Sequence, residues 1–249
     1  IRKHPENVID TDSNVTPKLL KSACLLGTNG SGKSSLIKAF RFFSGYVENS
    51  SKNLQINDSI PIEPFIYDEE YANSPSFFEI IFIHKGISYQ YGFTANPDIV
   101  EKEWLYERPL ESGKKNRTIF LREQNNETYN WYLNKTFLTG QKESWKENTR
   151  NNSLFLSTAV QFNSSHLLPV YEWITQYMRI IESPQNLIHS FTSKQYLKNG
   201  WNKKILEFLS SVDINFDDIE IEIKEFDIND YDNVPEEIKK IILETNKNK

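Results

Sequence analysis

Gly27-Thr28-Asn29-Gly30-Ser31-Gly32-Lys33-Ser34 is the stretch on which the reading of this chain turns. Glycine is scarce, nine in 249 residues, yet Gly27, Gly30 and Gly32 crowd into this one octet. The octet satisfies the pattern G-x-x-x-x-G-K-[ST] in full. Its flanks supply the matching context. Ser22-Ala23-Cys24-Leu25-Leu26 is a short apolar run of strand type, and Leu36, Phe40 and Phe43 recur at helical spacing within 35–43. Cys24 then reads as a small core residue of that strand.

The residue types suit one task. Glycines let successive backbone N–H groups turn inward into an anion nest that side chains would obstruct. A helix beginning near Lys33 adds its positive end to the same place. Gly27, Thr28, Asn29, Gly30, Ser31 and Gly32 are therefore candidates to cradle nucleotide phosphates. Lys33 is the candidate to bridge the β- and γ-phosphates, Ser34 to ligate Mg²⁺, and Ser35 to donate to the α-phosphate.

Composition removes other classes. One cysteine excludes an internal disulfide framework and a cysteine-cluster zinc site. His4, His84, His166 and His189 lack metal-ligand spacing and read as structural or surface residues. No apolar run approaches the roughly 18–20 residues that span a bilayer, and no secretory leader opens the chain, so no membrane partner and a cytoplasmic location are expected. The net charge of −5 is unevenly spread: 213–237 holds eleven acids and one base, −10, which leaves +5 elsewhere. That excess over so long a body is weak ground for nucleic-acid binding, and the acidic stretch reads as a solvated face. The chain begins with Ile1 and stops after a helix-like stretch, so it reads as a piece of a longer polypeptide.

Beyond the loop, residues 75–137 read as an antiparallel meander. Its expected strands are Phe77 to Ile83, Ile87 to Phe93, Ile99 to Glu107, Arg117 to Arg122 and Thr128 to Leu133, with Lys85-Gly86 and Asn96-Pro97-Asp98 as turns. Leu110 to Lys115 reads as a hairpin connection. Lys114, Lys115, Arg117 and Arg122 could touch DNA, though such a cluster more often guards a strand edge. Pro64-Phe65-Ile66-Tyr67-Asp68-Glu69-Glu70 reads as a surface strand end. Leu167 to Ile181 carries an apolar helix face, and another helix is expected over Lys203 to Ser211. Ile219, Ile221 and Ile223 alternate with charged residues like a half-buried strand, and Pro235-Glu236-Glu237 opens a final helix. The expected fold is α/β in three parts: a P-loop strand and helix core (1–60), an antiparallel β subdomain (61–150), and a helical subdomain with an acidic strand and terminal helix (151–249).

The interior of the loop narrows the class. No Asp completes a GTPase base-reading motif after Asn134-Lys135 or Asn202-Lys203, and no arginine-bearing kinase lid is visible. Asn29-Gly30-Ser31-Gly32-Lys33-Ser34-Ser35-Leu36 resembles the loop of ABC and SMC/RecF-type ATPases. With the opening Lys3 to Ile9, Leu19 to Ala23, Ile62 to Phe65, Glu103 to Glu107 and Phe155 to Asn163, the chain resembles the N-terminal portion of the AAA15-type, ABC-class ATPases of bacteria, the AAA-family or abortive-infection ATPases. The resemblance implies Mg·ATP binding, hydrolysis in the complete protein, a head-to-tail homodimer, and phage defence beside a nuclease partner. It also implies a glutamine where the core hands over to the helical subdomain, reaching Mg²⁺ and the attacking water. Leu154 to Ser157 as a strand, followed by Gln161, fits that place. The family's Walker B strand ending in Asp-Glu, its signature loop and its switch histidine are not found in the sequence, and the faint likenesses at Pro64 to Glu70 and Leu110 to Lys115 do not supply them. Two rivals remain: a non-catalytic, nucleotide-dependent module that binds protein or DNA, and a small-molecule phosphotransferase.

Overall fold

Residues 4–11, 18–111, 115–126, 128–181, 189–198 and 200–221 are described by a computed structural model of the chain. Short strands β1 (Val8–Asp10) and β2 (Lys18–Leu20) form an antiparallel ribbon. Its pairing ends where the Lys21 N–H donates to the Asn7 carbonyl. The next residues, expected as a strand, are unpaired: no described strand runs beside 22–26, so their backbone groups have no ladder partner. Leu25 and Leu26 are exposed, and so is Cys24, which corrects the expectation of a buried thiol.

Helix α1 (Lys33–Asn49) extends past the expected span because Tyr46 and Val47 continue the apolar stripe, and both are buried with Phe43. The one-turn helix α2 (Glu69–Ala72) replaces the expected strand end. Asp68 precedes it and accepts hydrogen bonds from the N–H groups of Glu70 and Tyr71, while Glu69 and Glu70 lie at its positive end.

The meander is present as expected. Strands β3 (Ser76–His84), β4 (Ile87–Ala95), β5 (Val100–Pro109), β6 (Arg117–Asn125) and β7 (Thr128–Leu133) pair antiparallel in sequence order. Lys85 and Gly86 both have positive φ, 48° and 76°, the conformation that matches a two-residue hairpin turn to strand twist. At the next turn Asn96 Oδ1 accepts from the N–H groups of Asp98 and Ile99. Of the β5–β6 connection, residues 112–114, Lys114 included, lie outside the described residues.

Helices α3 (Lys142–Glu147), α4 (Phe155–Gln161) and α5 (Leu168–Glu172) follow, the last running into a π-helical turn at Trp173–Tyr177. The expected strand at Leu154 to Ser157 is therefore helix. The cause is twofold: Phe155, Leu156 and Ala159 are buried on one helical face, and the Glu103 carboxylate accepts the N–H groups of Phe155 and Leu156 at the helix start.

One face of the sheet carries the core. Phe43 stacks on Phe93 with ring centres 5.6 Å apart, Phe155 meets Phe120 edge-on at 4.8 Å, and Trp173 stacks on Phe82 at 4.0 Å. Arg122 belongs to this interior, its side chain fully buried, so it drops out of any DNA-contacting set. His84 rests against the Tyr177 ring, and His166 Nε2 lies 2.9 Å from buried Glu107.

Contacts divide the chain into two units, 1–182 and 183–249. The second holds α6 (His189–Tyr196) and α7 (Trp201–Ser211), the latter starting directly after Gly200 at φ 80°. Within it the Tyr196 hydroxyl donates to Asp218. Ile219 and Ile221 are half-buried and Glu220 exposed, in the expected alternation but with no strand pairing. Ile223 and the expected final helix lie outside the described residues.

Candidate functional site

The glycine loop and the first turn of α1 form one local structure. Gly30 (φ 81°) and Gly32 (φ 87°) take left-handed conformations that a Cβ disfavours. A Cβ on Gly27 would come within 2.5 Å of Ser31 Oγ, so any side chain there would have to turn that hydroxyl aside. The turn is closed by the Ser31 N–H donating to the Thr28 carbonyl and the Leu36 N–H donating to that of Gly32.

Helix geometry leaves the first N–H groups of α1 without intrahelical acceptors. Gly32 at the N-cap has no side chain to cover them, and the first turn carries no acidic residue. The positive end of a 17-residue helix thus opens, uncompensated, onto an exposed loop. Lys33 folds back over that loop. Its Nζ donates to the carbonyls of Gly27 (2.7 Å) and Thr28 (2.6 Å) and reaches Ser31 Oγ at 3.4 Å. Ser34 and Ser35 stand exposed in the first helical turn. Chemically the arrangement gathers N–H donors, an ammonium and two hydroxyls with no carboxylate among them, a set that suits a polyanion.

Gln161 sits differently. It ends α4 and is exposed, and no hydrogen bond joins it to the loop among the described residues. Its helix packs where the Ser157 hydroxyl donates to the Val47 carbonyl, and Val47 is about 21 Å along α1 from Lys33. No group of His, Cys, Asp or Glu among the described residues could hold a metal ion by itself. A magnesium site would not need one, because Mg²⁺ is commonly held by one or two protein oxygens together with substrate phosphates and water. The exposed Ser34 hydroxyl beside the anion cradle fits that donor set.

A glycine loop in left-handed turns that opens onto an uncapped helix and carries an inward-folded lysine defines the P-loop class of nucleoside-triphosphate-binding proteins. A family model described as AAA domain, putative AbiEii toxin, Type IV TA system, matches residues 22–249. The chain belongs to that family, and is thus a bacterial AAA-family ATPase related to abortive infection. No curated protein and no solved structure matches it. No helix among the described residues is long and apolar enough to cross a membrane.

Proposed function

We propose that residues 27–35 are the Walker A phosphate loop of an ABC-class ATPase that binds Mg·ATP. Lys33 is assigned to the β- and γ-phosphates, Ser34 to Mg²⁺ and Ser35 to the α-phosphate, with the loop N–H groups around them. The observation that carries this reading is Lys33 Nζ held 2.7 and 2.6 Å from the Gly27 and Thr28 carbonyls at the mouth of an uncapped helix. The ammonium is already over the nest, and a phosphate can take those carbonyls' place as its partner. Bound Mg²⁺ would supply charge neutralisation at the phosphates. Gln161 is carried in this reading as a contact to the metal and the attacking water, a role that requires the end of α4 to approach the loop. In the complete protein the reading includes head-to-tail pairing across ATP, hydrolysis, a cytoplasmic location and phage defence beside a nuclease partner.

The test is calorimetric titration of Mg·ATP into the chain and into Lys33→Ala. Loss of binding in the variant is expected, and an unchanged affinity would sink the assignment. With no Asp-Glu-terminated Walker B strand in the sequence, the chain by itself is expected to turn ATP over well below the ordinary enzyme range of about 1–10³ s⁻¹. Turnover within that range would show that the hydrolytic residues are misassigned.

A further inference from the structure

The two edges of the five-stranded sheet are built differently. β7 is six residues long and turns Thr128, Asn130 and Tyr132 outward. β3 is nine residues long and pairs with β4 without a register shift. It has none of the usual guards of a free edge: no proline, no lysine and no bulge. Its one carboxylate is drawn away from the edge and across the sheet, because Glu79 Oε2 accepts hydrogen bonds from Trp104 Nε1 (2.8 Å) and Gln90 Nε2 (2.9 Å). What remains beside the edge is apolar. Phe77 and Ile81 are 63% and 62% exposed, and an apolar groove of about 230 Å³ separates β3 from Leu36 and Phe40 of α1.

We propose that β3 is a self-pairing edge: two copies of this chain join antiparallel about a two-fold axis at Ile80, making one ten-stranded sheet. The strand is close to an apolar palindrome. Pairing about Ile80 sets Phe78 opposite the second copy's Phe82, Phe77 opposite its Ile83, and Ser76 opposite its His84. Glu79 falls opposite the second copy's Ile81, so no two like charges meet directly, as register in a paired sheet requires. The groove borders Phe77 to Ile80. The two-fold places the second copy's Ile80 and Phe82 beside that groove.

The exposed parts of Leu36, Phe40, Phe77 and Ile81 come to about 400 Å² per copy, with Phe77 and Ile81 on one face of the sheet and the groove on the other, and a strand edge about 31 Å long adds on the order of 150 Å². Two copies with all of this covered hide at most roughly 1,100 Å², the size of a weakly associating interface. This pairing uses no nucleotide and stands apart from the reading of the phosphate loop.

Sedimentation velocity of the nucleotide-free chain, from about 1 to about 100 μM, tests it over the range where an interface of micromolar affinity dissociates. A dimer is expected, with its dissociation constant raised at least about 10-fold in Ile81→Lys, which introduces the edge-guarding residue that β3 lacks. Phe77→Lys, at an equally exposed site, is a second chance if the first variant fails to fold. A wild-type chain that stays monomeric throughout overturns the proposal, as does a dimer that forms only when Mg·ATP is added. A dimer indifferent to both substitutions overturns it too, since it would use another surface.

Discussion

Glu103 and Arg122 face each other from adjacent strands with Oε2 and Nη1 3.8 Å apart and neither side chain exposed. Each also completes backbone that the sheet does not own. Glu103 accepts from Phe155, Leu156 and the Tyr91 hydroxyl, while Arg122 donates to the carbonyls of Ser153 and Arg150 and stacks on Tyr129. The pair therefore clamps the segment that opens α4 onto the sheet. Burial pushes the Glu103 carboxyl above the usual range, and Arg122 opposes that push. Removing one partner strands the other as an uncompensated buried charge, which typically costs about 3–5 kcal/mol. Arg122→Met is expected to lower unfolding free energy by that amount in urea titration. A loss below about 1 kcal/mol would mean that water already reaches the pair.

The loop glycines give a second prediction. Gly32 at φ 87° is in a region costly for any β-branched residue, on the order of 1–3 kcal/mol. Gly32→Val must either hold that strain or swing the loop out of its present path. The buried end of α1, at Phe43, Tyr46 and Val47, lies more than two turns away and should hold. Expected, then, is an unchanged helical signal by circular dichroism with Mg·ATP affinity lowered at least about 10-fold. Equal affinity in the variant would show that the loop does not need the left-handed residue to bind.

How far the sequence reached can be judged element by element. The meander was legible because period-two patterning and Lys85-Gly86 or Asn96-Pro97-Asp98 turns are local signals, each readable within a few residues. The glycine turns and the helix that begins at Lys33 were legible for the same reason. Residues 154–157 were misread because four apolar or small residues carry no period, and what makes them helical is Glu103, some fifty residues away. Asp68 was misread as a strand terminus although its pattern, an acid followed by two glutamates, is an N-cap signal. Burial of Arg122 had only an oblique trace. Glu103 and Glu107 flank Leu105 on one face of a strand whose other face holds Trp104 and Tyr106, so one face had to bury acids and needed a cation. Unpaired Leu25 and Leu26 show the complementary limit, since an apolar run becomes a strand only beside another strand.

His84 supplies a pH test. Burial, and then Lys85, lower its pKa below the ordinary 6.5, with Glu172 opposing. A histidine whose folded pKa is depressed stays neutral in the native state while its unfolded form takes up a proton. Its contribution is thus fully present above the unfolded pKa and lost as pH falls from about 6.5 toward the folded value. Thermal melts should show stability declining as pH drops through that window, and His84→Phe should remove part of the decline by keeping the Tyr177 contact without a titrating group. Parallel declines in both proteins would place the acid sensitivity elsewhere.

Gly92 offers the sharpest packing test. It lies mid-strand between Glu79 and Trp104, and the indole lies over it, held by the bond from Nε1 to Glu79. A Cβ at this position would meet Trp104 Cζ2 at 2.5 Å and the Phe78 carbonyl oxygen at 2.6 Å. The first atom belongs to a side chain that can turn, but the second is ladder backbone and can yield only if β3 moves from β4. Gly92→Ala is therefore expected to cost about 1–3 kcal/mol, the range for overpacking. Combining it with Trp104→Ala separates the two obstacles. If the indole is the main one, the alanine should cost nearly nothing once the ring is gone. If the backbone contact dominates, most of the penalty should survive in the double variant, and the separation of β3 from β4 should register as faster amide exchange along Phe78 to Phe82. A neutral Gly92→Ala in the wild-type background would show that neither the indole nor the Phe78 carbonyl lies so close to Gly92 in solution.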